Sequence, residues 1–147
     1  MYISFIIIIA CILIDQITKI LARKFLKGKH SKKISKNLSL YYLENSGGAN
    51  GLYSGNYFIL IASTIISMFF CLLLFKYYDL EKNLIFSISL SVLVGGILGN
   101  FLDRVIYSYV TDFISIKTKK RSLPVFNFAD VFIFLGSIVS VITYIFI

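Results

Sequence analysis

Two aspartates of this chain lie where a carboxylate is costly to place, and together they could do acid–base chemistry. Asp112 alternates with apolar residues in the stretch YVTDFISI, on the same side as Val110 and Ile114. Asp130 is followed by an uncharged apolar run that continues to Ile147. A carboxylate that faces an apolar side is partly desolvated, and its pKa should rise.

If Asp112 and Asp130 meet in the folded chain, they resist ionising together, and one stays protonated near neutral pH. Such a pair activates a water molecule as a base and protonates a leaving amine as an acid, so it hydrolyses a peptide bond without a metal or a covalent intermediate. Carboxylates in an apolar environment also serve as proton or ion relays. Spacing alone leaves both uses open.

Local structure offers a second explanation for several of the acidic residues. Asn127 is a good helix N-cap, and Asp130 is then the third helical residue, where its charge complements the positive helix end. Asp15 and Lys19 have the i, i+4 spacing of a helical ion pair with the acid leading. On these grounds alone the carboxylates are structural.

The segment GGILGNFLDR brings a further acidic residue, Asp103, to the end of the third apolar run. It places Gly96, Asn100 and Asp103 along one face of a helix. Glycine permits a close helix contact, and the side chains of Asn100 and Asp103 can hydrogen-bond to a neighbouring helix.

Metal, redox and nucleotide chemistry have no support in the sequence. No HExxH, CxxC or Walker-type glycine-rich motif occurs. The single histidine, His30, lies among lysines, and Cys11 and Cys71 lie inside apolar runs, where cysteine fills space as a small hydrophobe. We therefore expect no cofactor and no metal.

The elements that must position these residues are membrane spans. The chain has 147 residues, of which 58% are hydrophobic, against roughly 45–50% in an ordinary soluble domain. Its four apolar runs approach the ~20 residues that cross a bilayer. We predict a single integral membrane domain, all-α, with spans at about 2–26, 57–75, 84–103 and 128–147.

The first and third loops, at about 27–56 and 104–127, are more than spacers. The stretches NLSLYYLEN and YVTDFISI alternate like strands, and we expect a small sheet beside the membrane surface. Lysines and tyrosines in these loops suit anionic lipid head groups, although a merely solvated basic surface explains them equally well.

The distribution of charge makes a prediction about topology. The basic residues concentrate in the first and third loops, and the second loop holds only Lys76 and Lys82. The positive-inside rule therefore places loops one and three in the cytoplasm and both termini outside.

Five motifs occur in order along the chain and together resemble one family. They are DQITK (Asp15 to Lys19), NSGGA (Asn45 to Ala49), GGILGNFLDRV (Gly95 to Val105), VTDFI (Val110 to Ile114) and FNFAD (Phe126 to Asp130). Together they closely resemble the bacterial lipoprotein signal peptidases, the signal peptidase II family of membrane aspartic proteases. The resemblance spans nearly the whole chain.

The resemblance implies four transmembrane helices, a small extracytoplasmic sheet or cradle formed by loops one and three, and the activity of an aspartic endopeptidase. Its substrates would be prolipoproteins that carry a diacylglyceryl-cysteine, cut just before that cysteine. Asp112 and Asp130 match the two catalytic aspartates. Further positions around the pocket match Asp15, Lys19, Asn45, Gly47, Asn100, Asp103, Arg104 and Asn127.

The resemblance also implies a place in the cell. The enzyme would lie in the bacterial cytoplasmic membrane as a monomer, with its active site on the extracytoplasmic side and substrate entering sideways from the bilayer. It would use no cofactor and bind no nucleic acid. This topology is opposite to the one that the charge distribution predicts, and we side with the family, because the site must face the processed end of an exported precursor.

The chain departs from the family pattern at one loop. The family usually follows its Asn-x-Gly-Ala-Ala element with Phe and a small residue, where this chain has Asn50 and Gly51. The alternative function, a small membrane transporter or proton channel, would favour acids deep within spans and an internal repeat, and neither is evident.

Overall fold

A computed structural model of the chain describes residues 2–47, 57–77, 83–118 and 122–146. Within these ranges four helices and three short strands follow one another. They are α1 (Tyr2–Leu26), β1 (Lys32–Lys33), β2 (Leu38–Asn45), α2 (Tyr57–Tyr77), α3 (Leu84–Tyr107), β3 (Val110–Ile116) and α4 (Phe128–Ile145).

The predicted mostly helical fold with a small sheet is confirmed. Three helices, α1, α3 and α4, are long and apolar enough to cross a membrane. In α2 the apolar stretch Leu60–Leu74 is shorter than a span requires among the residues described. Large apolar side chains on the outer faces of the helices are exposed, as a lipid-facing surface requires.

The central helix of the bundle is α3, which packs against each of the other three. Its glycines allow the backbones to approach closely. A Cβ atom at Gly96 would lie 2.6 Å from the carbonyl oxygen of Ala129 in α4. One at Gly99 would lie 2.6 Å from a carboxylate oxygen of Asp15 in α1. Below this level Phe86 and Leu90 form the apolar core with the buried, free Cys71.

Helix ends set the positions of the site residues. Asn127 caps α4 through a full capping box with Asp130, as the spacing predicts. At its C-terminal end α3 is capped by Ser108, which adopts a left-handed conformation with φ of 63°. This turn sends the chain into β3, so that Asp112 returns towards the top of α4.

The three strands form one antiparallel sheet in the order β1-β2-β3. Leu43 pairs with Asp112 and Asn45 with Val110, after an irregularity in register between Leu40 and Leu43. The sheet joins loops one and three, as expected. The two-residue strand β1 lies in the lysine-rich segment, where no alternation predicts it.

The burial of β3 does not follow its alternation. Thr111, Phe113 and Ser115 are buried although they lie on the side opposite Asp112, and Ile114 is only half-buried. The reason is that α1 covers this second side, where Phe113 packs against Ala22 and Leu26. The strand is therefore enclosed on both sides, and polarity alone does not identify its inner face.

Candidate active site

Asp112 lies in the middle of β3 and is 2% exposed. Both of its carboxylate oxygens accept hydrogen bonds from neutral amides. Asn127 Nδ2 donates to Oδ1 at 2.7 Å, and Asn45 Nδ2 donates to Oδ2 at 2.8 Å. Asparagine amides hold the carboxylate in place without supplying a positive charge.

Asp130 is held at the first turn of α4. Its Oδ2 accepts the backbone N–H of Asn127 at 3.1 Å, and its own N–H donates to Asn127 Oδ1 at 2.9 Å. Its other oxygen, Oδ1, accepts Asn100 Nδ2 at 2.8 Å. Because Asn127 also bonds to Asp112, one asparagine contacts both aspartates, and the cap of α4 is part of the same cluster.

Asn100 connects this pair to the helix bundle. Its Oδ1 accepts Lys19 Nζ at 2.9 Å and Asn127 Nδ2 at 3.2 Å, while its Nδ2 serves Asp130. An amide that accepts and donates at the same time has only one orientation that satisfies its partners. Lys19 thereby fixes which end of Asn100 faces Asp130.

The pKa of Asp112 is raised from its ordinary value of 3.8 to about 7, first by burial and then by the negative charge of Asp130. The hydrogen bonds from Asn45 and Asn127 act in the opposite direction and do not offset these effects. Asp112 is therefore partly protonated near neutral pH, and its pKa is raised as the desolvation argument from its sequence position predicts.

A second buried cluster lies beside the pair, between α1 and α3. Lys19 Nζ is 2.8 Å from Asp15 and 3.6 Å from Asp103, and all three side chains are fully buried. Asp103 also lies 3.5 Å from Arg23 and accepts the backbone N–H of Thr111 at 2.9 Å. The predicted ion pair of Asp15 and Lys19 is present within a larger network.

Five members of this network were not anticipated from the sequence. Gln16 donates to Asp15, to the carbonyl of Gly99 and to Asp103, and Arg23 donates to the hydroxyl of Thr111 at 2.7 Å. The N–H of Ala129 donates to Asp15 at 2.9 Å. The spacing of Asp15, Lys19 and Arg23 at i, i+4 and i+8 could have indicated Arg23, whereas nothing local indicates Thr111.

Gly47 and Arg104 complete the set of predicted residues. Gly47 is buried, and its N–H donates to Asn45 Oδ1 at 3.0 Å, so the turn holds Asn45 against Asp112. Arg104 is near enough to Asp112 and Asp130 to interact with their charges, and its buried Nε has no hydrogen-bond partner among the described residues. The departure at Asn50 and Gly51 lies outside the described residues.

Asp112 and Asp130 both line a cleft of about 970 Å³, which we call the main cleft. The end of β2 forms one wall, with Asn45 and Gly47. The segment before α4 and the first turns of α4, with Phe134 and Leu135, form the others. The structure thus brings all ten predicted residues to one place, in two adjoining groups. Across the described ranges, no three His, Cys, Asp or Glu side chains are grouped to hold a metal ion.

This arrangement can be compared with known proteins. Residues 7–146 match the family described as signal peptidase (SPase) II. The chain is 40% identical over 129 residues to a lipoprotein signal peptidase of Caldicellulosiruptor bescii, covering 87% of this chain and 81% of that protein. It is 39% identical over 141 residues to one of Clostridium tetani, covering 93% and 88%.

The fold also resembles that of solved structures. A bacterial membrane enzyme determined by the in meso method at 2.3 Å resolution superposes with a TM-score of 0.90 at 30% identity, covering 99% of this chain and 88% of that one. A second, at 1.9 Å resolution, gives a TM-score of 0.87 at 30% identity, covering 98% and 93%. The transporter alternative finds no support in these comparisons.

Proposed function

Since the chain belongs to the signal peptidase II family, we propose that it removes signal peptides from prolipoproteins and that Asp112 and Asp130 are its catalytic residues. The observation that carries this proposal is that Asn127 holds both carboxylates on the wall of one cleft. The pKa of about 7 at Asp112 supports a pair that shares one proton.

In the proposed reaction, one carboxylate of the pair acts as the base and the other acts as the acid. A water molecule between the carboxylates gives a proton to Asp130, and its oxygen attacks the carbonyl carbon of the scissile bond. Asp112 gives its proton to the carbonyl oxygen, which yields a neutral tetrahedral intermediate. That intermediate then collapses: Asp112 takes back a proton from one of its hydroxyl groups, the C–N bond breaks, and the departing nitrogen takes the proton that Asp130 holds. The products are a signal peptide with a new carboxyl group and a polypeptide with a free amino group.

The surrounding residues position this pair. Asn45, Asn100 and Asn127 orient the carboxylates through hydrogen bonds, and Gly47 shapes the turn that presents Asn45. Arg104 contributes positive charge beside a site where negative charge develops on the carbonyl oxygen. The network of Asp15, Lys19 and Asp103 anchors α1, α3 and β3 beneath it.

The substrate class is finer than the comparisons reach. We propose that the enzyme cuts just before a cysteine that carries a diacylglyceryl group, with the acyl chains still in the bilayer. A main cleft that lies beside exposed apolar helix faces and is lined by Phe134 and Leu135 suits a substrate arriving sideways from lipid. We also propose that α2, with 21 residues, is the fourth span of a single membrane domain.

The proposed location is the bacterial cytoplasmic membrane, with the sheet and the catalytic pair on the extracytoplasmic side and both termini in the cytoplasm. This orientation places many lysines outside, against the positive-inside rule. Contact of these lysines with anionic lipid head groups offsets that bias. We propose that the enzyme acts as a monomer, because the site is built from one chain.

Cleavage of a diacylglyceryl-modified prolipoprotein by the purified protein in detergent tests the proposal. We expect Asp112→Asn and Asp130→Asn each to lower kcat by about 10³-fold or more, because each loses the acid or the base. Both variants must keep a cooperative thermal transition to count. Cleavage at the wild-type rate by both folded variants would show that the carboxylates are structural.

A further inference from the structure

A second cavity adjoins the main cleft beside Asp130. It has a volume of about 390 Å³ and lies between α2, α3 and α4. Asn100, Arg104, Asp130 and Ile133 line both spaces, so the two lie on either side of these residues. The second cavity exists because α2 packs mainly on α3, which leaves a gap towards α4.

One wall of this second cavity carries small polar side chains. We call it the serine slot, defined by Ser63, Thr64, Ser67 and Cys71 of α2. Ser63, Ser67 and Cys71 follow at i, i+4 and i+8, so the slot runs about 12 Å along α2. It leads away from the catalytic pair, towards the depth at which Leu93 lies.

The hydroxyl groups of the slot keep acceptor capacity. Ser63 and Thr64 both donate to the carbonyl of Leu60, at 2.9 and 2.8 Å, and Ser67 donates to the carbonyl of Ser63 at 2.8 Å. Each hydroxyl proton is thus used within α2, while the oxygen lone pairs remain for a further donor. Ser63 and Ser67 are exposed, so a bound group can reach them.

The main cleft has a different lining along α4. Below Asp130 its wall consists of Val131, Ile133, Phe134 and Leu135, and Ser137 is the one hydroxyl of α4 there. Two passages therefore descend from the pair, one with a row of hydroxyl acceptors and one almost wholly apolar.

A substrate of the proposed function has two parts that descend from the scissile bond into the bilayer. One is the end of the signal peptide, and the other is the pair of acyl chains. The peptide must leave its helix near the bond to be cut, and its freed N–H groups need acceptors in apolar surroundings. Acyl chains need none.

We propose that the serine slot binds the backbone of the signal-peptide segment just before the cleavage site, while the acyl chains pass along α4 at the main cleft into the bilayer. This assignment rests on the proposed function. The side chains of that segment would then lie in the second cavity of about 390 Å³, so binding would depend on their size.

A matched pair of variants tests the assignment. Ser67→Leu narrows the slot, and Ser137→Leu makes the same change in the main cleft. The substrates are synthetic lipidated precursor peptides in two series, one with small or bulky residues before the cysteine and one with octanoyl or palmitoyl chains. The measured quantity is kcat/KM for each combination.

We expect Ser67→Leu to lower kcat/KM about tenfold or more, with a larger loss for bulky than for small peptide residues and the same loss for both chain lengths. We expect the loss in Ser137→Leu to grow from octanoyl to palmitoyl. The double variant Ser63→Ala/Ser67→Ala keeps the space but removes the acceptors, and it should raise KM about tenfold.

Two results would overturn the assignment. If the loss in Ser67→Leu follows chain length instead of peptide size, the slot holds the lipid. If Ser67→Leu and the double alanine variant cut every substrate like the wild type, the slot is not used. Wild type that cuts no substrate would instead refute the proposed function. Binding of the same peptides to Asp112→Asn, with and without Ser67→Leu, measures the effect of narrowing the slot on affinity in the absence of cleavage.

Discussion

Two groups of aspartates lie side by side in this protein, and their partners differ. Asp15 and Asp103 touch cations, with Lys19 2.8 Å from the first and Arg23 3.5 Å from the second. Asp112 and Asp130 form no ion pair with any described residue, and their hydrogen-bond donors are asparagine side chains and a backbone N–H. Asp112 is as buried as Asp15 and Asp103, so it differs from them in its partners and not in its burial.

The difference in partners matters because a cation and an amide have different effects on the pKa of a neighbouring carboxylate. A cation within about 4 Å favours the charged form of a carboxylate. An amide orients a carboxylate with far less preference for its charged form. The pKa of such a carboxylate is therefore set by desolvation and by the neighbouring acid. Lys19 serves both groups, because it neutralises Asp15 and orients Asn100 towards Asp130. Through Lys19, the cluster of Asp15 and Asp103 therefore helps to position Asp130.

The largest effect is expected from a substitution that removes the cation beside Asp15. Lys19→Met leaves the buried carboxylate of Asp15 without its cation, and removing one partner of a buried pair costs about 3–5 kcal/mol of unfolding free energy. We expect a fall of several degrees in Tm, measured by thermal shift in detergent, together with loss of cleavage. The double variant Asp15→Asn/Lys19→Met is the control and should recover part of the stability. Equal Tm values for wild type and Lys19→Met would contradict the account of this cluster.

The next prediction concerns a substitution that gives Asp112 a cationic partner. Asn45→Lys brings an ammonium group to the oxygen of Asp112 that Asn45 now bonds at 2.8 Å. A cation there lowers the pKa of Asp112 and removes the shared proton, so we expect kcat to fall about 100-fold. Asn45→Gln keeps an amide without charge and is the matched control. A lysine variant no worse than the glutamine variant would show that charge at Asp112 is not decisive.

A smaller effect comes from pH. Since the pKa of Asp112 is near 7 in the fold and 3.8 as the ordinary value, the folded state holds the proton more tightly than the unfolded chain. The stability from this proton is complete below about pH 4 and is lost as pH rises to about 7, by up to ~1.4 kcal/mol per pH unit. Asp112→Asn cannot titrate, so its Tm should gain on that of the wild type between pH 5 and pH 8.

The same titration should appear in activity. The kcat/KM of the wild type should fall above about pH 7 as Asp112 loses its proton. A constant difference in Tm between wild type and Asp112→Asn from pH 5 to pH 8 would refute the raised pKa.

The smallest effect concerns a third ion pair, at the surface. Lys27 and Glu44 are 2.8 Å apart, but their side chains are 59% and 41% exposed. Their pKa values are shifted in the directions that pairing gives, upward for Lys27 and downward for Glu44. Exposed pairs contribute little, so Lys27→Met should leave Tm within about 2 °C of the wild type. A fall as large as that of Lys19→Met would mean that exposure is a poor guide here.

Local features of the fold could be predicted because they depend on residues within one turn. The capping box of Asn127 and Asp130 spans three residues, and the pair of Asp15 and Lys19 spans four. Helical and strand spacing fix such contacts wherever the segment lies. The strand that carries Asp112 is likewise readable from its alternation, although its buried second side is not, because α1 covers it.

The sequence by itself determined that the chain is apolar enough for a membrane, where its helices begin, and that Asp112 and Asp130 are carboxylates in apolar surroundings. Only the tertiary structure decided which aspartates receive a cation and which receive an amide. Asn45 and Asp112 are 67 residues apart, and Lys19 and Asn100 are 81 apart. Interactions across such separations depend on helix packing, so composition and spacing do not reveal them.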